Sequence, residues 1–247
     1  ELLQESAIRA LVQNIASCDE VWVVSRGAGE NLRSLGYEGD YIVMENGVDV
    51  PRGRVSDEAI AAVTGGYDLP QNVPVFLFVG RLMWYKGIRI MLDALKTLRE
   101  KNVDFRMVFV GEGADGAEIR SYAEELKLSD RCFFTGAISD REVIRAWYGR
   151  ADLFLFPSTF DTNGLVVREA AASGTATVMI RNSCASEGVS DGRNGFCIEE
   201  NAAAMAAKLE ELCRAPEMMR TVGENAQREL YVSWETAVQR AMARYEV

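Results

Sequence analysis

Histidine is absent from the 247 residues. That removes Ser-His-Asp and Cys-His catalysis, and the HExxH metal motif, from anything this chain does alone. Any chemistry falls to carboxylates, cations, backbone amides or groups supplied from elsewhere. Cysteine is sparse: Cys18, Cys132, Cys184, Cys197 and Cys213 are scattered, odd in number and form no CxxC pair. This is neither a disulfide framework nor a zinc site, and it implies a reducing, cytoplasmic setting. No apolar run approaches the ~18 residues of a bilayer span, and the first residues do not read as a basic-then-apolar leader. The chain opens on Glu1 rather than methionine, so a piece cut from a longer protein is expected. Basic residues are outnumbered, 27 against 37 acidic, for a net charge of −10. A nucleic-acid surface needs a basic stripe and is not expected; the acidic excess suits a solvated exterior.

What remains is an ordinary globular composition, with 48% hydrophobic and 26% charged residues. Short apolar runs alternate with amphipathic stretches. Strands are expected at Val21–Ser25, Tyr41–Glu45, Val75–Val79, Arg106–Val110, Cys132–Thr135, Leu153–Phe156, Thr177–Ile180 and Gly195–Ile198. The near-continuous runs VFLFV, RMVFV and LFLF suit parallel strands buried on both faces. Ile88, Met91, Leu95 and Leu98 recur at helical spacing and predict one buried stripe. Ser139 and Glu142 form an S-x-x-E pattern that predicts a capping box opening a helix with Val143, Ile144 and Trp147. The alternation predicts an α/β fold with a Rossmann-like, doubly wound parallel sheet. After Asn201 the chain turns helical, with further helices after Pro216 and Trp234. A soft boundary, rich in proline and glycine, runs from Asn46 to Asn72 with a short helix after Ser56. The segment before it carries too little structure to bury its own core.

Open α/β sheets bind ligands at the carboxyl ends of their strands. Three loops leave strands directly. The first, Gly80-Arg81-Leu82-Met83-Trp84-Tyr85-Lys86-Gly87, sets two cations at a sheet mouth; they hold a phosphate or pair with nearby carboxylates. The second, Gly111-Glu112-Gly113-Ala114-Asp115-Gly116, matches GxGxxG. The following strand ends Phe133-Phe134-Thr135 without the acid a dinucleotide ribose requires, so a tight strand-to-helix turn explains its glycines better. The third, Pro157 to Glu169, leads through Asn163 and Gly164 into a helix with free first amides. Asp161 precedes that helix and Glu169 lies inside it, so the two carboxylates reach different parts of a ligand.

In this order and spacing the loops resemble the large retaining glycosyltransferase family 4, the glycosyl transferases group 1, which includes relatives of sucrose synthase. The resemblance starts near Ser17–Ser25 and continues through Glu45-Asn46-Gly47-Val48-Asp49, similar to an interdomain "PNGVD" signature. It extends over Gly80-Arg81…Lys86-Gly87, Val110–Gly113, Phe134–Gly136, Ala151–Ser158, Asn163–Ala170 and Asp191–Phe196. It implies the C-terminal, donor-binding half of a two-domain GT-B enzyme: 1–45 a remnant of the first domain and connection, 46–232 the donor domain, 233–247 a crossover helix.

By that resemblance Arg81 and Lys86 hold the donor diphosphate, joined by Gly80, Asn163 and the amides of Gly164, Leu165 and Val166. Glu169 binds the ribose, Gly136 lies against the base, and Asp161, with the two cations, serves catalysis at the donor sugar. The implied reaction moves a sugar from a nucleotide diphosphate sugar, UDP- or GDP-linked, to an unidentified acceptor. It retains anomeric configuration and needs no metal or other cofactor. Two departures stand out: Asp161 replaces the family's first glutamate, and Asn163 replaces its usual phenylalanine. The first domain, with its acceptor pocket, is almost entirely missing. The isolated piece is therefore expected to turn nothing over, to expose the apolar side of its last helix and to self-associate. A peripheral place on the inner membrane face would come through the missing domain. A non-catalytic nucleotide-binding scaffold domain and a GT-B-type epimerase are the alternatives.

Overall fold

The computed structural model describes residues 2–245. Helix α1 (Leu2–Ala16) leads into a small parallel unit: β1 (Trp22–Val23), α2 (Arg26–Ser34) and β2 (Ile42–Val43). Helix α3 (Asp57–Thr64) follows, its first turn capped by Ser56 Oγ, which accepts from Ala59 N.

The main sheet comprises β3 (Val75–Val79), β4 (Arg106–Val110), β5 (Cys132–Gly136), β6 (Leu153–Phe156), β7 (Ala176–Ile180) and β8 (Phe196–Ile198). Its order is β5-β4-β3-β6-β7-β8, and every pairing is parallel. Helices α4 (Ile88–Glu100), α5 (Gly116–Glu125), α6 (Arg141–Arg150) and α7 (Leu165–Ala172) connect the strands, and α8 (Ala202–Cys213), α9 (Pro216–Glu229) and α10 (Trp234–Tyr245) close the chain. All residues of β3, β6 and β7 are buried, as continuous apolar runs demand when helices cover both faces. Helix α4 packs on α8, α3 on α6, and α7 on α9. The stripe Ile88, Met91, Leu95 and Leu98 is fully buried between helix and sheet.

From β3 the chain steps outward to β4 and β5, then returns to place β6 on the other side of β3. The winding direction therefore reverses between β3 and β6. A crevice opens outside the carboxyl ends of two strands at such a switch point. Asp152, at the start of β6, ties these strands together: its Oδ2 accepts Val75 N–H at 2.8 Å. At the far edge Asp191 Oδ1 accepts Cys197 N–H and Asn194 Oδ1 accepts Ser190 N–H, so the Asp191–Phe196 segment is a structural turn.

One expected cap is displaced. Asp140, not Ser139, caps α6, its carboxylate accepting from Glu142 N and Val143 N. Both are good capping residues, and the anionic one gains more from the positive end of the helix.

The small unit is tied to the main sheet. Ser25 Oγ donates to Thr162 O, while Glu187 accepts from Arg26 N and Gly27 N at 2.7 Å each. Helix α10 buries only Ala237 and exposes Trp234, Val238 and Met242. Among the described residues no helix is long and apolar enough to cross a membrane.

Candidate functional site

The loops that follow β3 and β6 meet at the switch point around a hollow of about 220 Å³. Backbone constraints shape both. Gly87 ends the first loop at φ 75°, and a Cβ there would stand 2.2 Å from Pro157 O of the second. Only glycine permits that approach. Gly164 caps α7 at φ 58°, against Ala185. Gly111, in the GxGxxG turn, faces Gly80 O, where a Cβ would come within 1.9 Å. That glycine-rich turn buttresses the first loop and does not line the hollow.

Eight of the ten residues singled out from sequence line this hollow: Gly80, Arg81, Lys86, Asp161, Asn163, Gly164, Leu165 and Val166. Intrahelical bonding in α7 begins with Val167 N–H to Gly164 O (2.9 Å), so the amides of Leu165 and Val166 stand ahead of it at the positive end of the helix. Two cations and a helix tip therefore share one cavity.

Both cations already have partners. Lys86 Nζ lies 2.8 Å from Asp161 Oδ2, with the side chains 14% and 25% exposed. Ser158 Oγ donates to the same oxygen at 2.7 Å. Arg81 is exposed and donates from Nη2 to Tyr85 Oη at 3.0 Å. Tyr85 in turn meets Phe160 edge-on, with ring centroids 5.4 Å apart. Lys86 thus pairs with a carboxylate, but one that faces the same hollow. The arrangement gathers an acid, a base partner and anion donors in one place.

Gly136 and Glu169 lie outside this lining. Gly136 ends β5 with φ 81°, bridged to Gly111. Glu169 sits on the buried side of α7, where Tyr148 Oη donates to its Oε2 at 3.4 Å. Burial raises the Glu169 pKa; the Tyr148 contact opposes that rise without cancelling it. Burial, reinforced by Glu169, raises the Tyr148 hydroxyl well above its ordinary value. Burial likewise pushes the Cys132 thiol to about 12 and that of the half-buried Cys213 to about 11, which disfavours the thiolate in both.

Several participants were not picked out beforehand. Asn46 and Thr162 line the hollow. Asn46 falls within the interdomain-like signature and Thr162 between two chosen residues, so adjacency was an available signal. Ser158, Tyr85 and Tyr148 act on the site residues through contacts that spacing alone does not reveal. An ion pair between α7 and the segment after β2 was also missed. Arg168, 10% exposed, donates to Glu45 Oε1 at 2.7 Å and to Leu230 O at 3.0 Å.

Residues 65–229 match the family model described as glycosyl transferases group 1. Over 214 residues the chain is 31% identical to D-inositol 3-phosphate glycosyltransferase 2 of Catenulispora acidiphila, covering 81% of this chain and 48% of that protein. It is 28% identical to the GDP-mannose-dependent alpha-(1-6)-phosphatidylinositol dimannoside mannosyltransferase of Mycobacterium tuberculosis, covering 97% of this chain and 61% of that one. The chain thus spans about half the length of the curated relatives it matches. Among solved structures, Anabaena HepE in complex with UDP superposes with a TM-score of 0.86 at 22% identity, over 98% of this chain and 68% of that one. The sucrose-phosphate synthase of Thermosynechococcus elongatus gives 0.83 at 25% identity, over 98% and 61%.

Proposed function

The chain belongs to the glycosyl transferases group 1 family, and from that premise we propose that it binds the nucleotide sugar for a retaining sugar transfer. Its sheet is the C-terminal, Rossmann-like half of a GT-B glycosyltransferase. The single observation that carries the proposal is the meeting of Arg81, Lys86 and the first amides of α7 around one hollow.

When the bond from the anomeric carbon to the diphosphate oxygen breaks, its electron pair leaves with the diphosphate. Negative charge grows where Arg81, Lys86 and the Leu165 and Val166 amides converge. Fixed donors aimed at such charge contribute ~3 kcal/mol each to a transition state. Lys86 begins paired to Asp161. A diphosphate draws the ammonium toward itself, and Asp161 turns toward the donor sugar while Ser158 keeps hold of its carboxylate. Glu169, within α7, takes the ribose hydroxyls. Gly136, at the end of β5, borders the base.

One relative's name specifies GDP-mannose and one structural neighbour was solved with UDP, so both bases belong in the test. The diphosphate charge is met by side chains and amides, and turnover in the presence of a chelator is part of the proposal. So is the division into a first-domain remnant (1–45), a donor domain (46–232) and a crossover helix (233–247). The exposed apolar side of α10 supports a crossover role, and self-association when nothing covers it. A cytoplasmic place accords with the free cysteines, and membrane attachment would come through the first domain. The acceptor is left unassigned.

The test is a panel of UDP- and GDP-sugars given to a form of the protein that carries both halves of the cleft. Release of nucleoside diphosphate, with α-linked donors giving α-linked products, is expected. Tight diphosphate binding without release from any donor would make the chain a non-catalytic nucleotide-binding domain.

A further inference from the structure

The loop that carries Asp161 has little to hold its main chain. Among the described residues, no hydrogen bond between backbone groups reaches residues 158–163. Within the loop, Ser158 Oγ donates to Asp161 Oδ2 and accepts from Phe160 N. From outside it, among the described residues, one donor reaches the loop's backbone: Ser25 Oγ, which gives its proton to Thr162 O. Asp161, Thr162 and Asn163 all line the hollow, so that bond fixes the middle of the segment facing the diphosphate.

Ser25 stands in the small unit, 137 residues away in sequence. It is 2% exposed and caps α2, where the same oxygen accepts Ala28 N–H at 3.0 Å. A hydroxyl has one proton and two lone pairs. Capping uses a lone pair only, and aspartate, with no proton to give, caps as well as serine. The proton is what the loop receives.

The surrounding contacts make the hold firm. Glu187 anchors the first amides of α2, those of Arg26 and Gly27, at 2.7 Å each. A Cβ on Gly27 would stand 2.3 Å from Cys184 Sγ, so the helix start lies close against the single turn Cys184–Ser186. Ala185 of that turn packs against Gly164, at the tip of α7. The start of α2 thus bears on both segments that shape this tip: the loop before it and the turn against Gly164.

We propose that Ser25 is a positioning residue. Through Thr162 it holds the 158–163 loop in the shape that receives the diphosphate, and so couples the docking of the small unit to donor affinity. This rests on the donor-binding proposal above and adds what keeps that site in shape before a ligand arrives. Such coupling is reciprocal: a nucleotide that needs the bond also strengthens it.

The experiment compares the chain with two variants. Ser25→Gly removes the hydroxyl while glycine remains a serviceable cap. Ser56→Gly makes the same change at the cap of α3, away from the hollow. Calorimetry with UDP and with GDP gives affinity. Hydrogen exchange read by mass spectrometry gives the opening of α2, with and without saturating nucleotide. For the nucleotide that binds, Ser25→Gly is expected to weaken affinity about three- to tenfold, the equivalent of one hydrogen bond. Ser56→Gly is expected to leave it unchanged. In the unaltered chain, nucleotide should slow exchange in α2 by a similar factor, and in Ser25→Gly hardly at all. A purely structural cap would lower the melting temperature of both variants and move neither readout.

Should Ser25→Gly fail to fold, Ser25→Ala is carried through the same comparison. Unchanged affinity in the Ser25 variant overturns the proposal, as does equal weakening by Ser56→Gly. So does protection of α2 that persists without the hydroxyl, which would route the coupling through Glu187 and the turn at Cys184. If the unaltered chain binds neither UDP nor GDP, it is the donor-binding proposal that fails, and this one with it.

Discussion

Replacing Lys86 with methionine tests the site where its parts are most interdependent. The substitution keeps the stem and removes the ammonium 2.8 Å from Asp161. Exposed ion pairs contribute under ~1 kcal/mol, whereas breaking a fully buried one costs about 3–5. With side chains 14% and 25% exposed, this pair falls between, and a loss of about 1–2 kcal/mol in stability is expected. The effect on ligand is larger in kind. A charge-assisted hydrogen bond contributes about 1.5–3 kcal/mol. Part of that is offset because Lys86 must leave Asp161, so diphosphate affinity should fall about 10- to 30-fold. Titration with UDP and GDP, followed by tryptophan fluorescence, is the assay. Trp84 opens the same single turn as Lys86 and reports locally. The double variant Lys86→Met/Asp161→Asn separates the two roles. It should recover stability, since no uncompensated carboxylate remains, without recovering affinity. If the double variant binds as tightly as the original chain, Lys86 merely holds Asp161 and the phosphate role is wrong.

Three further outcomes follow from the geometry. Burial holds the Glu169 pKa above its ordinary 4.5, so this carboxyl favours the fold most below that value and progressively less as pH rises through its folded pKa. Glu169→Gln should therefore raise the melting temperature at pH 7 and give no gain at pH 4; an equal gain at both would contradict the burial account. Arg168→Met leaves Glu45, one-third exposed, with only the more distant Arg240 at 3.5 Å and leaves Leu230 O unpaired, so a loss of about 1–2 kcal/mol, roughly 2–8 °C in melting temperature, is expected from calorimetry. A loss near zero would show the pair to be ornamental. Gly87→Ala meets Pro157 O at 2.2 Å, whereas Gly192→Ala, at nearly the same φ, meets nothing within 4 Å. The second should lose only about 1–2 kcal/mol of backbone strain in denaturant titration, and the first considerably more; equal losses would mean the two loops are not pressed together.

The strands were legible because their apolar runs are continuous: β3, β4 and β6 begin and end where VFLFV, RMVFV and LFLF do. Their order in the sheet was not, because a fully apolar strand carries no mark of its neighbours. Without that order, nothing in the sequence says that the loops after β3 and β6 face each other across the switch point. The candidate cations were recognisable from residue type and position, but the Lys86–Asp161 pair joins residues 75 apart and belongs to tertiary structure. The capping residue of α6 was missed by one position because serine and aspartate both suit it, and only the charge favours Asp140. The GxGxxG turn is the opposite case: the acid missing from the next strand already favoured a tight turn, and a Cβ on Gly113 would meet Leu82 O at 2.3 Å.

The central claim is that one pyrophosphate sits where the first loop and the tip of α7 meet. Crystals of the chain grown with the nucleoside diphosphate that binds best examine it directly. Phosphate density is predicted within hydrogen-bond reach of Arg81, Lys86 and the amides of Leu165 and Val166. Phosphates bound at any other place, with this hollow left to solvent, would contradict it.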